Sequence, residues 1–387
     1  MISSRAIILM SLFIVATRVA TGQALPKCGA SGCAHTVAYI GTHGSGPGQG
    51  IFAAAFDSLT GKFGDLQLAA EIEQPTWLAL DPRRPILYSV SEIGNDGKSQ
   101  GGVYSLAIDP AAGKLKITSQ VASGGGGATH LAFDERLNTL FVANWGGGQV
   151  SAVPVRSDGS LAPVSSIQTD YGSGPSPVQF GPHAHSVAVD PSGNFVLSAD
   201  LGADRIFVYH FDSANRTLSP ARPAFESVAP GSGPRHIVFS PNGRLVYLLT
   251  ELTAEIVVFR WEATMGRLKR HQSLAIDGPG YSGKKSAGEI GISRDGRFVY
   301  VTNRGQNTLV VYAVSRESGM LVKRQEIACG GDSPWSFAID QSGGWMIVAN
   351  ENSSTLNVFK IDKASGKLAA TGQVLSVPKP VTIAIYP

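Results

Sequence analysis

GPRHIVFSPNGRLVYLLTELTAEIVVF, starting at Gly233, and SAGEIGISRDGRFVYVTNRGQNTLVVY, starting at Ser286, are two copies of one pattern. Each runs through an apolar strand, an Asp/Pro/Gly/Asn turn, a second apolar strand ending on a polar residue, a short loop and a third strand. A tail such as SGKL closes the unit. Strand-rich units repeating at roughly 50 residues are the signature of a β-propeller. One unit cannot bury both faces of its sheet alone, so the units must pack into a single ring.

The residue after the turn that follows each third strand serves as a ruler. It falls at Phe63, Leu115, Leu161, Leu218, Leu268, Leu321 and Leu368, which predicts seven blades. The first blade begins abruptly at VAYIGTH, from Val37, with no inner strand before it. The chain ends on PVTIAIYP, which resembles the inner strands WSFAID and THLAFD. Val381 to Tyr386 is therefore expected to complete blade 1 and close the ring, leaving no open sheet edge between first and last blades. Composition suits an all-β, well-buried globule, with 43% hydrophobic and 16% charged residues and 46 glycines for tight turns.

The expected domains are a signal peptide at 1–24, a lead-in at 25–36 and the propeller at 37–387. Arg5, the apolar run AIILMSLFIVAT from Ala6 and the small residues Gly22 and Ala24 are the parts of a secretory signal. The apolar run is too short for a comfortable membrane span. Secretion or a periplasmic location is thus expected, with no membrane contact after cleavage. Without Arg5 and Arg18, the 32 basic residues fall to near balance with the 29 acidic ones, so no nucleic-acid partner is expected. Cys28 and Cys33 suit a local disulfide outside the cytoplasm, whereas Cys329 stands alone; the three make no metal site, and none is expected. The glycines at 124–127 and 146–148 lack the strand-to-helix setting of a phosphate loop and read as turns. Asp109, Asp190 and Asp340 read as turn residues.

Polar residues line up where the apolar strands start and stop. Aligning the inner strands on their alternation places Thr76, Thr129, His185, Arg235, Glu289, Trp335 and Val381 in one column. The ends of the second strands place His43, Glu92, Trp145, Leu201, Glu251, Arg304 and Glu351 in another. Antiparallel neighbours bring the start of one strand beside the end of the next, so both columns ring one mouth of the channel. His130, His183 and His236 lie within two positions of the first column. Such a cluster of His, Arg and Glu suits acid–base chemistry on an anionic substrate; the alternative is that each member satisfies loop backbone or forms a surface ion pair.

GPHAHSVAVDPSGNFVLSADLGADRIFVY, SGPRHIVFSPNGRLVYLLTEL and AGEIGISRDGRFVYVTNRG resemble the seven-bladed lactonase family. That family includes bacterial propeller-type 6-phosphogluconolactonases and fungal carboxymuconate lactonizing enzymes. The resemblance covers about Val37 to Pro387. In the fungal enzymes a His, the Arg of GPRH, the Glu of the following NEL and the Arg of NRG form the active site. The resemblance therefore implies catalytic roles for His185 (with His183 as rival), Arg235, Glu251 and Arg304. His43, Glu92, His130, His183, His236, Glu289 and Trp335 are the expected substrate-binding residues. Three departures stand out: NEL is Thr250-Glu251-Leu252, GTYTS is GTHGS around His43, and Trp335 stands where many relatives have an arginine.

These readings lead to a lactone hydrolase acting on a small lactone or anionic sugar acid without a cofactor. His185 is the candidate base, because unperturbed imidazole titrates near neutrality. Glu251 would orient it or act as base itself, and the arginines would hold an anion and the developing oxyanion. Two alternatives use the same residues or the same fold: a muconate-type cycloisomerase, and a secreted propeller that only binds.

Overall fold

The computed structural model describes residues 35–387, which form strands and turns without a helix. The expected signal segment, most of the lead-in, and Cys28 with Cys33 lie outside the described residues. Seven antiparallel sheets follow in chain order, six of four strands and one of five. Their inner strands touch in an unbroken cycle, so the sheets form a closed seven-bladed ring. Blade 1 joins the two chain ends: Pro380–Tyr386 is its inner strand and pairs with His35–Thr42 in the register Val37 to Tyr386 through Gly41 to Thr382. The closure expected from PVTIAIYP is the one observed.

Each sheet is apolar on both faces, and the core consists of seven clusters, one between each pair of neighbouring blades. Between blades 4 and 5, Leu197 and Val208 meet Val246, Leu248 and Phe259, all 3% exposed or less. Between blades 7 and 1, Ile347, Leu356 and Val358 meet Ala38, Ile40 and Phe56. Burying one such large side chain contributes about 1.5–3 kcal/mol, and a lone blade would forfeit it on both faces. The ruler residues Leu161, Leu218, Leu268, Leu321 and Leu368 are buried. The tails they mark are more than closing turns, because most of them run on into a fourth, outer strand such as Leu368–Ser376, largely exposed beyond its first residue. That polarity hid the strand from a reading based on apolar runs.

The turn assignments hold. Asp190 and Asp340 accept the N–H groups of Phe195 and Trp345 at 2.9 and 2.8 Å. The glycines at 124–127 lie between two strands. There Gly126 packs so closely that a Cβ would stand 2.3 Å from the Gly94 carbonyl oxygen. Cys329 is buried and free.

Candidate active site

In six of the seven blades the inner strand carries one extra residue where it enters at the mouth. The ladder shifts at Thr129, His185, Arg235, Trp335 and Val381, and at the pair Gly288–Glu289. A bulge leaves its residue unpaired and breaks the alternation of faces, so it can re-aim a side chain. The neighbouring strand locks this geometry. His43, Glu92, Trp145, Leu201, Glu251 and Glu351 each donate their N–H to the carbonyl two places before the column residue, at 2.7–3.1 Å. The two columns read from sequence are therefore adjacent around the mouth.

One member of the first column is corrected. Ala287 pairs with Asn303 as Pro234 pairs with Thr250, so Gly288 occupies the place of Arg235, and Glu289 stands level with His236. Laying Ile290 on Ile237 gives the same register, so the expected column was one residue out in this blade. Gly288 is required where it stands, since a Cβ would lie 2.3 Å from Thr302 Oγ1 and 2.7 Å from the Pro334 carbonyl oxygen. Its own carbonyl accepts Arg235 Nη1.

Blades 4, 5 and 6 build a cationic lobe around one carboxylate. Glu251 Oε2 accepts Arg235 Nε at 2.9 Å and Arg304 Nη2 at 2.8 Å, and His185 Nε2 lies 3.9 Å away. Arg304 also donates Nε and Nη2 to the Ala287 carbonyl. Among the described residues, Nη2 of Arg235 and Nη1 of Arg304 make no hydrogen bond. Burial would raise the Glu251 carboxyl, but the guanidiniums of Arg304 and Arg235 outweigh it and hold the group below the usual carboxylate range. Burial, followed by the nearby Arg304 charge, brings Arg235 down to about 10, so it remains a cation at neutral pH. Burial, reinforced by Arg235, His236 and Arg304, holds the His185 imidazole well below its ordinary value, so it is neutral at pH 7.

A floor of rings lies beneath. Trp77 stacks obliquely on His130 at 4.3 Å and edge-on to His236 at 5.2 Å, and His236 stands 5.2 Å from His185. The Trp77–His236 contact joins blade 2 to blade 5 across the channel axis, narrowing the mouth to a cup at this level. His236 Nε2 lies 3.3 Å from Arg235 Nη1, and His236 Nδ1 lies 2.7 Å from Glu289 Oε1. Guanidinium cannot accept, so Nε2 is the acceptor and Nδ1–H donates to Glu289. Burial raises the Glu289 carboxyl to about 7, against the opposing pull of Arg235, and holds His130 and His236 well below their ordinary value.

Blades 7, 1 and 2 build the other half. His43 Nδ1 lies 2.7 Å from Glu351 Oε1, and Nε2 lies 4.0 Å from Glu92 Oε2. Trp335 separates the halves, with the Arg304 guanidinium 4.3 Å from its ring centre and the His43 ring edge-on at 4.7 Å.

Of the expected site residues, His185, Arg235, Glu251 and Arg304 meet around one point, His130, His236 and Glu289 form the layer below, and His43, Glu92 and Trp335 form the opposite lobe. His183 is drawn elsewhere. It is 1% exposed, stacks flat on Trp145 at 4.0 Å and bonds the Trp145 carbonyl through Nδ1 at 2.9 Å, away from Glu251. His183 precedes the Ala184–Val189 strand, and the bulge at His185 breaks the alternation that would otherwise put the two imidazoles on one face. Trp77 was missed. Its signal is its place after Thr76, equivalent to that of His236 after Arg235.

A polar cup with a neutral imidazole, a clamped carboxylate and two unengaged guanidinium donors, all at one end of a propeller, has the groups of a propeller enzyme that works by acid–base chemistry. A family model described as "Lactonase, 7-bladed beta-propeller" matches residues 37–385. The chain belongs to that family, and it is a lactone hydrolase. It is 32% identical over 301 residues to the 6-phosphogluconolactonase of Bacillus subtilis (strain 168), covering 78% of this chain and 84% of that protein. A 6-phosphogluconolactonase of Formosa agariphila is 31% identical over 303 residues, 76% of this chain and 83% of that one. The solved structure of the Pseudomonas aeruginosa periplasmic gluconolactonase PpgL superposes with a TM-score of 0.86 at 37% identity, covering 91% of this chain and 99% of that one.

Proposed function

We propose that the chain opens an aldonolactone in the cationic lobe, with His185 as general base. The observation that carries this reading is Glu251 clamped by two arginines, with a neutral imidazole 3.9 Å away. His185 takes a proton from water as the water oxygen attacks the lactone carbonyl carbon. The carbonyl oxygen becomes anionic and accepts from the free N–H groups of Arg235 and Arg304, a kind of donor worth about 10²–10³-fold. The tetrahedral centre then collapses and expels the ring oxygen, which recovers the proton from His185. Glu251, held ionised by two cations, is a poor base; it balances their charge and orients the imidazolium as it forms.

The test is proton release from glucono-1,5-lactone measured against spontaneous opening. His185→Ala should lower turnover by at least about 100-fold, the usual contribution of an acid–base group, with unchanged thermal melting. Full activity in a folded variant would remove His185 from the mechanism. Export is part of the proposal, supported by the apolar run from Ala6 and by the likeness to a periplasmic gluconolactonase. The protein recovered from outside the cytoplasm should begin at Leu25 when its N-terminus is sequenced.

A further inference from the structure

The chemistry above leaves half of the mouth unused. Across the Trp335 indole from Arg304, blades 1, 2 and 7 bring together one imidazole and two carboxylates. The side chains of His43, Glu351 and Glu92 are 21, 18 and 13% exposed, so they face the cup and remain reachable from it. Neither glutamate has a Lys or Arg partner among the described residues. Glu92 Oε1 accepts the Asn95 amide at 3.0 Å, Glu351 Oε1 is held by His43 at 2.7 Å, and Glu351 Oε2 makes no hydrogen bond among the described residues. Two carboxylates against one imidazole give this lobe an excess of acidic groups.

We propose that this acidic lobe reads the polyol end of the substrate and rejects a phosphate there, so that the enzyme is specific for unphosphorylated polyhydroxy lactones. The inference rests on the reading that Arg235 and Arg304 hold the lactone carbonyl. With the carbonyl there, a sugar laid over Trp335 brings its far end to the acidic lobe, since that ring centre lies 4.3 Å from the Arg304 guanidinium and 4.7 Å from the His43 ring. A hydroxyl arriving beside Glu351 or Glu92 donates to a carboxylate, a charge-assisted bond roughly twice as strong as a neutral one. A phosphate at the same place has mostly lost its second proton, carries about −1.5 to −2 charge at neutral pH, and meets two carboxylates. These groups lie within a cup, where salt screens them less than on an open surface. His43 is a positioning residue that holds Glu351 toward the cup.

The experiment compares kcat/KM on glucono-1,5-lactone and on its 6-phosphate for the full protein and for the Glu92→Gln/Glu351→Gln double variant, with melting as the folding control. The wild type should favour the unphosphorylated lactone by at least about 100-fold, the worth of two like-charge contacts at about tenfold each. The double variant should narrow that ratio at least about tenfold, through loss on the neutral lactone and gain on the phosphorylated one. Equal use of both lactones by the wild type, or an equal fall on both in the variant, would overturn the inference. If the wild type opens neither lactone, the lactonase reading fails on its own. The acidic lobe is then judged by calorimetric binding of gluconate and 6-phosphogluconate: tighter binding of gluconate that depends on Glu92 and Glu351 supports it, and equal binding or a preference for the phosphorylated acid overturns it.

Discussion

Blades 4 to 6 set Arg235, Arg304 and His185 around one carboxylate, whereas blades 7, 1 and 2 set two carboxylates around His43. The backbone positions are equivalent, at bulges and at second-strand ends, so the fold imposes neither charge. What differs is wiring. Arg235 is 1% exposed, and burial on that scale is tolerated because Glu251, the Gly288 carbonyl and His236 engage its donors. The acidic lobe has fewer internal partners and keeps more contact with solvent, which lets its carboxylates stay hydrated at little cost. A more deeply buried half, held by several internal bonds and keeping two guanidinium donors free, suits groups that must be preorganised for a developing charge. A wetter half suits hydroxyl recognition.

The harshest way to break the comparison is to remove the strand that holds the acidic half in place. Truncation before Val381 deletes nearly all of the inner strand of blade 1, which pairs with the His35–Thr42 strand that leads into His43. Unpaired backbone and the blade 7 to blade 1 core would be exposed together. No soluble, cooperatively melting monomer is expected by circular dichroism and gel filtration, and a well-folded truncated protein would mean that the ring closes differently.

A smaller effect separates the work of the two halves. Arg235→Lys or Arg304→Lys removes a planar, two-pronged donor that lysine cannot reproduce. Each should cost about 10- to 150-fold in kcat/KM, equivalent to the ~1.5–3 kcal/mol of a charged hydrogen bond. The loss should fall equally on neutral and charged lactones if these groups serve the reacting carbonyl. A loss confined to charged lactones would instead make the cationic lobe the anion reader and undo the division proposed.

The mildest test is pH. Burial and the two arginines hold His185 well below its ordinary value, and it works as a base only when neutral. Activity should therefore be present throughout the neutral range and decline only as pH falls through the depressed value, well under 6.5. A rate profile whose acid limb sits at or above 6.5 would show that His185 is either less buried or not the base.

Much of this was legible without coordinates. Repeats such as GPRHIVFSPNG carry their turns and apolar strands in plain view, and the orphan PVTIAIYP announced the closure. His185, Arg235, Glu251 and Arg304 were found because polar residues at the ends of apolar strands break a strong pattern. The outer strands were not found, being polar and exposed. Glu289 was placed one residue out of register, because the column position is a glycine, Gly288, and the polar side chain stands next to it.

The sequence by itself determined seven sheets, their order, the closure and the end of the ring where chemistry gathers, since all of these follow from local propensity and a repeated apolar period. Which polar residues meet was decided only in three dimensions. Glu251 reaches Arg304 from the next blade, His236 reaches Trp77 across the axis, and His43 finds Glu351 from a residue 308 positions away in the chain. No local pattern encodes those encounters, because they depend on how seven twisted sheets close around a shared axis and on bulges that turn their side chains into the channel they leave.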